Sequence, residues 1–294
     1  YSPCIARAPV MDINAQTQLC GLLGNPVDHS LSPAIHNAAF RQLGLNFVYL
    51  AFPVQDLEGA VRGLRALGHI RGLSVTIPHK VTILPLLDSV ETTAKHIGSV
   101  NTIVKDRGLL VGSNTDASGA LQALQQGGVE TTGQRVVILG SGGAARAIAF
   151  ALGVEGKIEH LTILGVDDQE RTTLANDLKA KTSILLQDNS LTPETLQSAL
   201  AQAQLLIHCT PIGMHPKVDE SCVPKHLLHR DLTVMDIVYN PLNTRLLQDA
   251  QAAGCRTIQG INMFLYQAVG QFELWTGKSA PIEVMRKVLT SHFS

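Results

Sequence analysis

Short apolar runs alternate along this chain with stretches in which apolar residues recur at helical spacing. LCGLLG (19–24), FVYLAFPV (47–54) and GLSVTI (72–77) read as strands, and DLEGAVRGLRALG (56–68) reads as a helix between two of them. That alternation predicts a parallel α/β sheet. Within NPVDHSLSPAIHNAAFRQLG, Ser32 and Pro33 open a helix, the serine as capping hydroxyl and the proline in the first turn. VNTIVKDRGLLVGSNTD (100–116) predicts two strands around the turn Asp106-Arg107-Gly108.

A second block begins near Ala117. SGALQALQQGG predicts a linking helix, and QRVVILGSGGAARAIAFALG (134–153) predicts strand, glycine-rich turn and helix. Further strands are expected at LTIL (161–164), SILL (183–186), LLIHCT (205–210) and TVMDIVY (233–239). The tail INMFLYQAVGQFELWTG (261–277) has helical spacing, and the two closing helices are expected to pack back on the first block. The expected domains are therefore 1–116 with 261–294, and 117–260.

Length and composition narrow the classes. A chain of 294 residues suits two domains, and 45% apolar with 16% charged residues suits a buried core rather than disorder. A net charge of −1 with no basic stripe argues against nucleic acid. No apolar run reaches the roughly 18 residues of a spanning helix, so no membrane partner is expected. The opening YSPCIARAPVMDINAQTQ has no initiator Met, consistent with processing or a longer parent, and no apolar core of a secretory signal. Cys4, Cys20, Cys209, Cys222 and Cys255 are widely spaced, odd in number and without a C-x-x-C pair. Free thiols in a reducing cytoplasm, and no metal site, are the expectation.

Gly140, Gly142 and Ala145 form G-x-G-x-x-A between an apolar strand and a helix, the context in which this pattern binds a dinucleotide. Gly140 allows the tight turn, Gly142 the approach of a pyrophosphate, and Ala145 close helix–strand packing. The helix N-terminus then offers free N–H groups to the phosphates. After the next strand, Asp167 or Asp168 suits the adenosine ribose hydroxyls; equally, both acids suit the start of the helix near Glu170. Arg171 follows both acids and is expected inside that helix. A carboxylate at this spot favours NAD over NADP.

Four motifs hold more polar residues than folding needs: HSLSP (29–33), SVTIPHK (74–80), VNT (100–102) and SNTD (113–116). Each lies at or just after a strand-like run, and in open α/β sheets ligands gather at the carboxyl edge. Taken singly, Ser32 could be a cap, Asn101 a turn residue, Asp116 a cap and Lys80 a solvated lysine.

In this order, ahead of GSGGAA and followed by CTPIGM (209–214), DIVYNP (236–241) and NMFLYQAVGQFELWTG (262–277), these motifs resemble the shikimate dehydrogenase family over about residues 19–290. The resemblance implies an N-terminal α/β substrate domain plus a Rossmann-type domain. It also implies reversible NAD(P)-linked oxidation of shikimate to 3-dehydroshikimate. Its catalytic lysine and aspartate match Lys80 and Asp116. Its carboxylate-binding serines match Ser30 and Ser32, helped by Tyr239, and its hydroxyl ligands match Thr76, Asn101 and Gln267. Cofactor contacts are expected from Gly140, Ser141, Gly142, Gly143, Ala144 and Ala145, and from Asp167, Thr210 and Gly260.

Chemistry agrees with these roles. Oxidising a secondary alcohol removes a hydride, which the cofactor takes, and a proton, which the protein must handle. A free lysine with pKa about 10.4 is a poor base at neutral pH. Burial would lower that value and a neighbouring carboxylate would raise it, so Lys80 and Asp116 are treated as one coupled pair. Two departures matter. Ser74 stands where many members have asparagine. Gly165-Val166-Asp167 replaces the N-R-T of NADP-using members, again favouring NAD. Ser32 is the shikimate-like choice where quinate-type members often have threonine. A quinate/shikimate dehydrogenase of broad substrate use and a non-catalytic polyol-acid sensor are the alternatives, the intact pair arguing against the sensor. The oligomeric state is expected to be monomer or homodimer.

Overall fold

The computed structural model describes residues 13–293, so Cys4 and the first twelve residues lie outside it. The chain divides into two compact units. One comprises the described residues up to Lys95, then Val100–Asn114, and those from Ala268 on; the other comprises His96–Ser99 and Thr115–Gln267.

The first unit is built on strands β1 (Gln18–Gly24), β2 (Phe47–Pro53), β3 (Ile70–Val75), β4 (Ser89–Val90), β5 (Thr102–Asp106) and β6 (Leu109–Ser113), in the order β2-β1-β3-β5-β6-β4. Strands β1, β2 and β3 are parallel, β5 runs antiparallel to both its neighbours, and β4 is parallel to β6. The β5–β6 hairpin turns at Arg107 and Gly108, with φ of 49° and 85°, as the D-R-G turn predicts. Helices α1 (Ser32–Gln42), α2 (Leu57–Ala66), α3 (His79–Thr82) and α4 (Thr92–Ile97) follow the strands. Asp56 caps α2 by accepting the Gly59 N–H. Ser32 does not cap α1: Leu31 holds the cap position, and Ser30 Oγ accepts the Ser32 N–H at 3.2 Å. The core gathers Leu23, Leu73, Val75, Ile83, Ile103 and Leu110.

The second unit carries a wholly parallel sheet, β7 (Arg135–Leu139), β8 (His160–Gly165), β9 (Leu185–Ser190), β10 (Leu205–His208), β11 (Thr233–Asp236) and β12 (Arg256–Gln259). Its order is β12-β11-β10-β7-β8-β9, the doubly wound arrangement whose order reverses between β7 and β10. Helices α5 (Asp116–Gln126), α6 (Gly143–Val154), α7 (Asp168–Lys181), α8 (Pro193–Leu200) and α9 (Arg245–Ala252) cover it. The strand expected at 183–186 lies at 185–190, because its pairing with β8 fixes it there and an edge position tolerates the polar QDNS. β12 and β4 were not legible as strands.

Helix α10 (Gly260–Thr276) contains the division at Gln267, and α11 (Ile282–His292) packs on α1. Trp275 of α10 is fully buried, its Nε1 donates to the Ile103 carbonyl, and its ring fills the place where Gly72 has no side chain.

Candidate active site

In the first unit the polar motifs meet at one edge of the sheet. β1 ends at Gly24, and a Cβ there would lie 2.3 Å from Thr76 Cγ2, so the glycine admits Thr76. β3 ends at Val75; the Thr76 N–H donates to the Leu23 carbonyl, and the Thr76 carbonyl accepts from the His79 N–H. Pro78 stops the strand and the short helix α3 begins, carrying Lys80, which is half-buried. Its carbonyl accepts from the Val100 N–H, tying α3 to the start of β5. Asn101 lies at the amino end of β5, not the carboxyl end of a strand. It reaches the same edge because β5 runs antiparallel: its carbonyl accepts from Val75 N–H at 2.7 Å and its N–H donates to Ser113. Thus Ser30, Ser32, Thr76, Lys80 and Asn101 belong to one sheet edge of one unit.

Beneath that edge lies a buried polar network the sequence reading missed. Tyr49 OH donates to Ser74 Oγ, which donates to Gln271 Oε1 at 2.8 Å. Gln271 Nε2 donates to the Asn101 carbonyl and to Thr102 Oγ1, and Thr102 in turn donates to Asn101 Oδ1. Asn101 is thereby held by residues that never reach the surface. The only sequence signal was Gln271 four positions after Gln267, one helical turn along an otherwise apolar helix.

In the second unit the glycine-rich turn joins β7 to α6. Gly140 has φ +108°, and a Cβ would press on the Cys209 carbonyl at 3.1 Å and Thr210 Cγ2 at 3.3 Å. Nothing lies within 4 Å of a Cβ on Gly142, so the backbone there faces open space. Ala145 is buried, while Gly143 and Ala144 are half-buried. Free N–H groups at the start of α6 and a glycine cradle fit a dinucleotide pyrophosphate. Gly260 begins α10, and its backbone approaches Ile237 so closely that a Cβ would fall 2.4 Å from it.

At the end of β8 the acids sort into distinct tasks. Asp167 is the N-cap of α7, its Oδ1 accepting the Glu170 N–H at 2.8 Å. Asp168 accepts from Arg171 and from Ser190 Oγ, and the Arg171 bond, then Ser190, holds its carboxyl below the usual range. Arg171 is only 10% exposed and also donates to the Gly165 carbonyl. Glu170 reaches back to the turn, where its Oε2 accepts from Ser141 Oγ at 3.3 Å. In the sequence Glu170 marks only the start of a helix.

Asp116, also of this unit, is buried in the first turn of α5, where the helix dipole favours a carboxylate. One turn on, Gly119 has no side chain, and α10 approaches there at the Gln267 backbone. Gln267 Nε2 donates to the Phe264 carbonyl, and the Phe264 ring packs 4.6 Å from Tyr239. Burial pushes the Tyr239 hydroxyl up to about 12, so it stays a neutral donor.

Residues 22–103 match the shikimate dehydrogenase substrate binding domain, and residues 260–290 match the shikimate 5'-dehydrogenase C-terminal domain. A shikimate dehydrogenase (NADP(+)) of Methanopyrus kandleri is 47% identical over 96% of this chain and 98% of its own. The shikimate 5-dehydrogenase of Listeria monocytogenes, solved with shikimate and NAD, superposes with a TM-score of 0.88 at 36% identity, covering 96% of this chain and 100% of that one. A shikimate dehydrogenase solved with NADP+ also has a TM-score of 0.88, at 38% identity, covering 96% and 98%.

Proposed function

Because this chain belongs to the shikimate dehydrogenase family of oxidoreductases, we propose that it interconverts shikimate and 3-dehydroshikimate with NAD as the preferred dinucleotide, using Lys80 and Asp116 on the proton. The first unit serves as substrate domain and the second as dinucleotide domain. The observation that carries the reading is the convergence of Ser30, Ser32, Thr76, Lys80 and Asn101 on one sheet edge, where backbone bonds hold Thr76 to β1 and Asn101 to β3 and β6, Lys80 is tied to Val100, and Ser30 and Ser32 are joined to each other. These groups suit a small polyol acid. The carboxylate lies at the α1 N-terminus, where Ser30 and Ser32 supply hydroxyls and the helix dipole favours an anion. Tyr239 adds a neutral donor. Thr76, Asn101 and Gln267 bond the ring hydroxyls.

When bound, the dinucleotide accepts the hydride from the carbinol carbon. The chain's own task is the proton on the reacting oxygen. Lys80 and Asp116 share that task, and the bond from the Val100 N–H to the Lys80 carbonyl steadies Lys80 within its own unit.

NAD is favoured because the cations and anions at the end of β8 are already committed. Arg171 is buried and paired, so it offers no grip for a 2′-phosphate. Val166 is 85% exposed and uncharged, and Asp167, Asp168 and Glu170 surround the spot with negative charge. The M. kandleri relative is named for NADP(+) and the L. monocytogenes structure holds NAD, so the family accommodates both. Ser32 favours shikimate over quinate. Initial rates with shikimate and quinate, each against NAD and NADP, test the proposal. The expected order puts shikimate with NAD first; a higher kcat/KM with NADP would overturn the cofactor preference, and no turnover in any pair would overturn the activity.

A further inference from the structure

Strands β10 and β11 end side by side, with His208 opposite Asp236, and β10 also pairs with β7 so that His208 lies opposite Leu139, the residue before Gly140. A histidine–carboxylate pair therefore sits at the carboxyl edge directly below the glycine-rich turn, and both side chains are fully buried. Asp236 is saturated with donors. Its Oδ1 takes His208 Nδ1–H at 2.9 Å and the Val238 N–H at 3.0 Å, and its Oδ2 takes Thr244 Oγ1 at 2.6 Å. These bonds leave both Asp236 oxygens acting as acceptors, which fixes a proton on Nδ1. The other ring nitrogen, Nε2, meets Thr210 Oγ1 in a short contact. Thr210 Oγ1 also accepts from the Ile212 N–H, and its methyl packs where a Gly140 Cβ would be. Among the described residues, Cys222 faces the ring as well, and Cys209 lies beside Asp236.

We propose that His208 is a positioning residue: its Nε2–H fills an acceptor site of Thr210 Oγ1, so that the threonine proton is forced outward as a donor to an acceptor oxygen of the bound dinucleotide. The hydroxyl oxygen has two acceptor sites, and His208 and Ile212 occupy both. Its own proton must then point elsewhere, and the glycine-rich turn is what Thr210 borders. A neutral ring with its proton on Nδ1 would do the opposite. Nε2 would accept, the Thr210 proton would turn inward, and the donor toward the cofactor would be lost. Burial works against charge on His208, but the bond to the Asp236 carboxylate, with Cys222 beside the ring, outweighs it and pushes the imidazole up to about 10. The charged ring, and with it the outward donor, is the state at neutral pH. The inference rests on the reading that this turn holds a dinucleotide.

The test is a double-mutant cycle on the full chain with shikimate saturating. Thr210→Val should raise the KM for NAD about tenfold, one hydrogen bond's worth, with kcat and the KM for shikimate little changed. His208→Asn should raise it by a similar factor, and the double variant should lose no more than either single. In wild type and in Thr210→Ser the KM for NAD should climb as pH passes about 10, and in Thr210→Val that rise should vanish. Additive losses in the cycle, or a pH rise unchanged by Thr210→Val, would overturn the inference. If His208→Asn does not fold, the Thr210 pair and the pH profile decide alone. NAD binding by wild type, followed by fluorescence, separates this from the dinucleotide reading: no binding sinks that reading, whereas binding that ignores both variants sinks only the role of His208.

Discussion

His36 of α1 should make the protein acid-sensitive, and the size of the effect follows from its surroundings. Its ring is 0% exposed, stacked on Tyr49 at 4.6 Å with 12° between planes and tilted against Trp275 at 5.1 Å. Neither nitrogen has a hydrogen-bond partner. Burial pushes the imidazole down from 6.5 to about 3, opposed only in part by the nearby Gln271. Gln271 has little to offer, because its Oε1 already accepts from Ser74 and its Nε2 already donates twice. The sign follows from proton counting. Below pH 6.5 the unfolded chain binds a proton at this site that the folded chain refuses until about pH 3. The stability is therefore whole above 6.5 and drains away as pH falls toward 3. At 1.36 kcal/mol per pH unit the loss attributable to His36 reaches about 2 kcal/mol near pH 5.

The assay is urea unfolding at about pH 8 and about pH 5 for wild type and His36→Leu. Leucine removes both unpaired ring nitrogens and keeps an apolar filling, at the loss of roughly 1 kcal/mol of aromatic stacking. At the higher pH the variant should be at least as stable as wild type, because relief of two unpaired buried nitrogens outweighs the lost stacking. At the lower pH its advantage should grow by about 2 kcal/mol, because only wild type carries the His36 penalty. The other histidines are common to both proteins and cancel in the difference. If the two proteins lose the same stability between the two pH values, within about 0.5 kcal/mol, His36 does not titrate as its burial requires.

Three further outcomes are expected. Lys80→Ala should lower kcat by about 100-fold or more, with NAD binding and the unfolding midpoint close to wild type; near-normal turnover would remove Lys80 from the proton-handling pair. Glu170→Arg exchanges a repulsion for an attraction, each about 1 kcal/mol at 4 Å in water-like surroundings, and should move the kcat/KM ratio of NADP to NAD about 30-fold toward NADP; an unmoved ratio would place discrimination elsewhere. Gly72→Ala puts a methyl 2.1 Å from the Trp275 ring and 2.6 Å from the Ile103 carbonyl, so unfolding free energy should fall by about 1–3 kcal/mol.

The elements of this fold were legible where periodicity and burial agree. β1, β3, β7 and β8 are apolar runs because neighbours cover them, and the D-R-G hairpin announces itself through two left-handed residues. The edge strand β9 was misplaced for the converse reason: with one neighbour, its position is set by pairing with β8 and its sequence is free to be polar. The site divides along the same line. Lys80 and Thr76 stand out in the sequence because a polar residue ending a buried strand has no packing motive. Asn101 could be singled out from its motif, but its route to the edge could not, since nothing local tells that β5 runs backwards. The groups that hold the buried polar residues stayed hidden. Gln271 holds Asn101 from a helix distant in sequence, and Asp236 orients His208 from the neighbouring strand. A buried donor must find an acceptor somewhere, but sequence does not say where, because the pairing is made by strand order. The acids after β8 make the same point at close range. Asp167, Asp168 and Glu170 are near neighbours in sequence, yet one caps a helix, one neutralises Arg171 and one reaches the glycine-rich turn. Only their geometry turns Glu170, rather than Asp167, into the carboxylate on which cofactor choice should be tested.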